Sequence, residues 1–182
     1  SDYQDLRVDG FYSQRIGMPW RGQQVLAFRL AGGASAGALA RRGAFGLSGL
    51  GGYQDTIRNV LNRVTWGESG RLRGYGANAS RGRYFGLLQT EYRIPVWDVD
   101  RGIGSAIPLS LERVVFAMFT DWGLAWTAPP QLKDILGSVG ASLIFDMNVG
   151  YGDNVRLKFL YARGLDEDLG INFFQAQVLS SF

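Results

Sequence analysis

From residue 6 onward, apolar and polar side chains change places at every second position. Leu6, Val8, Tyr12 and Ile16 share one parity, and Arg7, Asp9, Ser13 and Arg15 hold the other. A period of two is the signature of a strand with one apolar face. In residues 23–31, Leu26, Phe28 and Leu30 stand opposite Arg29. Residues 84–96 put Tyr84, Leu88, Thr90, Tyr92, Ile94 and Val96 on one side, away from Gln89, Glu91 and Arg93. Residues 114–126 set Val114, Phe116, Met118, Trp122 and Leu124 against Ala117, Phe119, Asp121 and Gly123. The same segregation runs through residues 138–151, 155–161 and 172–182, while 43–50 reads as a weaker, glycine-rich strand presenting Phe45 and Leu47. Eight strands are predicted.

Several of these runs are 9 to 13 residues long. Tilted strands that cross lipid need ~9 to 11 residues, whereas globular strands usually have ~5 or 6. In lipid a strand satisfies its backbone groups only through neighbours, so the sheet must close with an apolar outside and a polar inside. The fold class expected is therefore all-β, a transmembrane antiparallel up-and-down β-barrel. Trp97, Trp122, Trp126, Tyr84, Tyr92 and Tyr151 supply a partial aromatic girdle. The competing architecture is a soluble barrel or sandwich with its apolar parity turned inward. Against it, the other parity mixes Glu91, Arg93, Asp121, Asp146, Arg156 and Lys158 with Gly, Ala, Ser and Gln, which suits a lumen where side chains pair across the interior. One segment breaks the period: Ile57, Val60, Leu61 and Val64 have helical spacing, predicting a short helix over residues 55–66 with Asp55 as a cap. Such a helix is expected to pack its apolar stripe on the barrel rim or on the loop that follows, or alternatively to bind a partner.

Composition narrows the possibilities. The 182 residues suit a single domain, 1–182, and residues 51–82 form its long loop. The 26 glycines follow no collagen-like period and accompany 13% aromatic residues, which excludes collagen and a disordered linker. No apolar run reaches the length of a spanning helix. With no Cys and no His, disulfides, thiol or imidazole chemistry, the usual zinc sites and histidine triads are all excluded, and neither metal nor cofactor is expected. All basic residues except Lys133 and Lys158 are arginine; the charges are scattered singly, the net charge is only +3, and no nucleic-acid partner is expected. An opening Ser1-Asp2-Tyr3 without a basic, apolar leader is expected of a mature or truncated product.

The loop carries a more specific pattern. Leu72-Arg73-Gly74-Tyr75 resembles the Val/Leu-Arg-Gly-Phe/Tyr signature of the BamA and two-partner-secretion transporter superfamily, the bacterial surface-antigen barrels. The strand that follows, with Glu91-Tyr92-Arg93 and the Ile94-Pro95 step, is similar to that family's next strand. Phe119-Thr120-Asp121-Trp122-Gly123 matches the family's Phe-x-Asp-x-Gly motif, so Phe119, Asp121 and Gly123 form the inner-wall partner motif. Phe174, Val178 and Phe182 resemble the C-terminal aromatic signal read by the assembly machinery. The likeness extends over roughly residues 20 to 182.

The resemblance implies the C-terminal half of a sixteen-stranded outer-membrane barrel. Leu72, Arg73, Gly74 and Tyr75 would then fold into the lumen, Arg73 pairing with Asp121, Gly74 passing close to the wall and Tyr75 packing there. The alternative at these residues is an Arg73 that caps an exposed loop while Asp121 pairs with a neighbouring strand. The expected role is non-enzymatic: aiding insertion of outer-membrane proteins or passage of a secreted chain, in the outer membrane of a Gram-negative-type bacterium or a derived organelle. The expected partners are membrane lipid, client strands, and remaining barrel strands from a longer chain or a second subunit. A different class stands beside it, a small structural or adhesive barrel that closes alone and presents the loop from Ile57 to Tyr75 to partners. A hydrolase is the weakest reading, since Glu91 and Asp121 have no nucleophile at recognisable spacing.

Overall fold

The computed structural model describes residues 6–20, 22–36, 45–47, 71–76, 79–102, 109–149 and 153–181. Seven long strands form one antiparallel meander: β1 (Leu6–Gly17), β2 (Val25–Ala36), β5 (Tyr84–Gly102), β6 (Leu109–Trp126), β7 (Leu136–Val149), β8 (Asp153–Gly164) and β9 (Asn172–Ser181), paired in that order. Two short strands, β3 (Phe45–Leu47) and β4 (Ser80–Gly82), form a separate ribbon. The predicted helix at 55–66 lies outside the described residues, as do Tyr151 and Phe182.

Local chemistry explains where strands stop. Pro129 and Pro130 follow β6, and a residue without an N–H cannot extend a ladder. The chain then makes a 3-10 turn at Leu132–Asp134, where the Gln131 N–H donates to Asp134 Oδ2 (2.9 Å) and the Asp134 N–H donates back to the Gln131 carbonyl (3.0 Å). Pro95 lies inside β5 beside a bulge at Pro95/Trp97, and β2 pairs no further along β5 than Arg93. Proline is thus placed where the ladder on one side has already ended.

Parity decides the two faces. On β6, Ala117, Phe119, Asp121 and Ala125 are buried, whereas Met118 is 46% and Trp122 44% exposed. On β7, Leu136, Ser138, Ser142 and Ile144 are buried against exposed Val139 and Leu143; on β8, Lys158, Leu160 and Ala162 are buried against exposed Phe159 and Tyr161. The parity rich in small and charged residues therefore faces the concave side, and the apolar parity covers the convex side in the open. This inverts a soluble sheet, where apolar residues are withdrawn from the surface.

The all-β, antiparallel expectation holds, and the sheet is open: among the described residues β1 and β9 are its two edges and do not pair. One expectation is corrected. The run at 43–50 is not a wall strand. The described residues there, 45–47, are extended and pair with β4, and Phe45 and Leu47 are buried on the concave side. Two large residues among glycines alternate equally well on a wall strand and on a ribbon packed against one, so the period could not distinguish them. The core consequently sits inside the curve, where Leu47, Leu72, Tyr75, Leu87, Ala125 and Leu136 pack together.

Candidate functional site: a loop pinned to the concave wall

Residues 71–76 cross the concave face of the sheet, and Leu72 and Tyr75 are wholly buried there. Leu72 needs a flat place on the wall, and Gly123 supplies it: a Cβ at that position would lie 3.4 Å from the Leu72 methyl and 3.1 Å from that of Leu47. On the other side, Gln89 of β5 donates from Nε2 to the Arg71 carbonyl at 3.0 Å.

Arg73 is the centre of the site. Its Nε donates to Asp121 Oδ2 and its Nη2 to Asp121 Oδ1, both at 2.6 Å, a two-point contact of guanidinium fork and carboxylate. The Arg73 backbone N–H adds a longer bond to Oδ2 at 3.3 Å. Nη1 reaches Glu91 Oε2 at 3.3 Å, and Glu91 in turn accepts from Arg93 Nε at 2.6 Å. The guanidinium carbon lies 3.4 Å from the centroid of the Phe119 ring, close enough for a cation–π contact. Asp121 is 0% and Arg73 7% exposed, so each needs the other: a buried charge without a partner is strongly disfavoured.

The next two residues are stitched to the turn between β8 and β9. Gly74 has φ +82, and a Cβ there would lie 2.6 Å from the Gly164 nitrogen and 2.8 Å from the Arg163 carbonyl carbon. Only glycine combines that backbone conformation with that closeness. The Ile171 N–H donates to the Gly74 carbonyl at 3.0 Å, and Tyr75 bridges to Gly170. The Tyr75 hydroxyl donates to the Gly137 carbonyl at 2.5 Å and accepts from the Asp166 N–H at 3.4 Å. Burial pushes this hydroxyl above its ordinary range, with the charge of Asp166 acting in the same direction, so it stays protonated as the donor to β7.

The residues singled out in the sequence thus fall into two groups. Leu72, Arg73, Gly74, Tyr75, Phe119, Asp121 and Gly123 come together in one buried site. Phe174 and Val178 lie apart on the outer face of β9, 69% and 70% exposed, and Phe182 is outside the described residues. Sequence reasoning did not single out Glu91 as a second partner of Arg73, although its parity already placed it inward. The docking of Gly74 and Tyr75 on residues 164–171 had no local signal at all, because it joins segments about ninety residues apart. Among the described residues, no acidic cluster has the arrangement of a metal site.

Comparison with known proteins brings no match: no family model, no curated protein and no solved structure matches the chain.

Proposed function

We propose that this chain builds part of the wall of an outer-membrane β-barrel of the assembly and translocation superfamily, which aids insertion of outer-membrane proteins or passage of a secreted chain. The observation that carries this reading is the inversion of the sheet: Leu30, Leu88, Met118, Trp122, Val139, Phe159 and Phe174 are exposed on the convex face, while Asp121, Arg73 and Lys158 are buried on the concave one. An apolar exterior of this extent suits lipid, and a lumen accounts for charges on the inside. The buried Leu-Arg-Gly-Tyr loop against Asp121 supports membership of this superfamily in particular. The working elements are then the pinned loop and the sheet edges, whose unpaired backbone groups can receive a client strand.

Strand parity supports a composite barrel. Seven antiparallel strands leave β1 and β9 running in the same direction, so joining these edges directly would create a parallel seam. All-antiparallel closure takes an odd number of strands from beyond the described sheet, whether from residues of this chain outside the described ones, from elsewhere in a longer chain or from a second subunit. Extraction in mild detergent followed by intact-mass measurement tests this. A complex containing further strand-bearing polypeptide is expected; a lone, folded ~20 kDa species would instead favour the small adhesive barrel.

The lipid-facing assignment makes its own prediction. Met118 lies near the middle of β6 on the convex face. Met118→Lys should cost about 2 to 4 kcal/mol in a bilayer, because a lipid-facing cation at mid-depth loses its hydration. Urea unfolding from liposomes reads this cost. A change within about 0.5 kcal/mol, usual for a water-facing position, would count against lipid contact.

A further inference from the structure

The two faces of the wall treat charge differently. Inside, cations are engaged by carboxylates of the wall itself: Arg93 Nε donates to Glu91 Oε1 at 2.6 Å, and Arg156 Nε to Asp146 Oδ1 at 2.5 Å. Outside, strand registers line the side chains up in rows that cross the sheet. One row joins Leu30, Leu88, Trp122 and Gly137; the next joins Phe28, Thr90, Thr120, Val139, Arg163 and Asn172. Below them lie the row of Tyr92, Met118, Ala141, Tyr161 and Phe174 and the row of Ile94, Phe116, Leu143, Phe159 and Ala176. In these four outward rows Arg163 is the one charged residue. It is exposed, and it shares the outward parity of Phe159 and Tyr161.

Its neighbours make a setting for it. Arg163 stands directly across from Asn172, the first residue of β9, and side chains so opposed have Cβ atoms about 5 Å apart. The Tyr161 hydroxyl donates to Asn172 Oδ1 at 2.9 Å. With its oxygen held there, the Asn172 amide keeps its NH2 group as a donor on the other arm. Among the described residues no carboxylate forms an ion pair with Arg163. In the acidic turn beyond it, Asp166 Oδ1 accepts the N–H groups of Asp168 and Leu169 at 3.0 and 2.8 Å. Aromatic rings flank the same rim: Trp122 covers Gly137, where a Cβ would stand 2.7 Å from the indole, and Tyr84 stacks on Trp126 with centroids 5.9 Å apart.

We infer that Arg163 and Asn172 hold the phosphate of an anionic membrane lipid at this rim. A lipid-facing cation is tolerated near the membrane surface and is costly at mid-depth, and β8 ends one residue beyond Arg163. The guanidinium fork takes two phosphate oxygens and the Asn172 amide a third, from adjacent strands. Trp and Tyr rings at the same rim suit the headgroup layer, and the exposed apolar side chains of Met118, Phe159 and Phe174 in the rows beneath receive the acyl chains. A lipid fits better than a soluble anion, because the donors stand at the border of an apolar field that only a molecule with chains can cover. The inference rests on the membrane reading above and adds the lipid chemistry that this rim selects.

The test uses the full chain extracted with its partners in mild detergent, and native mass spectrometry with phosphatidic acid and phosphatidylcholine as probes. Phosphatidic acid is expected to bind about fivefold or more tighter than phosphatidylcholine. Arg163→Gln should weaken phosphatidic acid about fivefold, and Asn172→Ala, which changes no charge, about threefold. Arg156→Gln removes the same charge from the inner face of the same strand and should leave that affinity unchanged. The two lipids on the unaltered protein keep the test decisive if a variant does not fold. Equal binding of the two lipids, equal losses in Arg163→Gln and Arg156→Gln, or displacement of phosphatidic acid by inorganic phosphate at matching concentration would each overturn the inference, the last in favour of a site for free anions. Liposome flotation of the same preparation reads the membrane assignment separately. Flotation without a preference for phosphatidic acid refutes the phosphate seat alone, whereas failure to float refutes the barrel reading on which it rests.

Discussion

Asp121→Ala should destabilise the folded chain by about 3 to 5 kcal/mol, the largest effect expected of any single truncation here. The substitution removes both acceptors of the Arg73 fork and leaves a guanidinium that is 7% exposed beside the Glu91 carboxylate at 3.3 Å. Arg73→Ala removes the other half, and the double variant should be less impaired than the sum of the two, with a coupling of about 1.5 kcal/mol or more. Denaturant midpoints measured for the four proteins in one detergent give that coupling. Charge exchange extends the test to function. Under the proposed function, Arg73→Asp and Asp121→Arg are each expected to abolish insertion or secretion of a client, and the exchanged pair to recover part of it. Independent, additive effects would mean that the loop acts from the surface and not through the wall.

Gly74→Ala carries the second large effect, about 2 to 4 kcal/mol, and for a different reason. At φ +82 an L side chain is strained, and the added Cβ would meet backbone atoms of Arg163 and Gly164 at 2.8 and 2.6 Å. Backbone of a paired strand cannot rotate aside as a side chain can, so the loop tip has to lift. Lifting it breaks the bond from Ile171 and draws Arg73 away from Asp121. Gly76→Ala is the matched control, since nothing lies within 4 Å of a Cβ there, and it should change stability by no more than about 0.5 kcal/mol. Limited proteolysis within residues 71–76 alongside unfolding midpoints would show whether the tip has lifted. Equal stability of the two alanine variants would rule out tight docking of Gly74.

Much of the wall was legible in the sequence. Alternation at 84–96 and 114–126 identified β5 and β6 and said which residues share a face, because successive Cβ atoms in a strand point to opposite sides whatever the strand pairs with. It did not give their full extent. β5 runs on to Gly102 and β6 begins at Leu109, beyond the alternating runs of residues 84–96 and 114–126. The site was legible in part. Parity turned Asp121 inward, and the resemblance suggested Arg73 as its partner. The resemblance placed Phe119 in the inner-wall motif but not its ring beneath the guanidinium, and neither parity nor resemblance pointed to the turn at residues 164–171 that holds Gly74 and Tyr75.

By itself, the sequence determined the period of each long strand, the chemistry of its two faces, and the exclusion of thiol and imidazole catalysis. Those are local properties, set by one residue and its near neighbours. The tertiary structure alone decided that residues 45–47 form a ribbon with β4, that β1 and β9 do not pair with each other among the described residues, and that Arg93, Arg156 and Lys158 share the inner face with Glu91 and Asp146. Register is the physical reason. It is set by hydrogen bonding between strands far apart in the chain, and a slip of one residue would turn every one of those cations to the other face without altering any strand's own period.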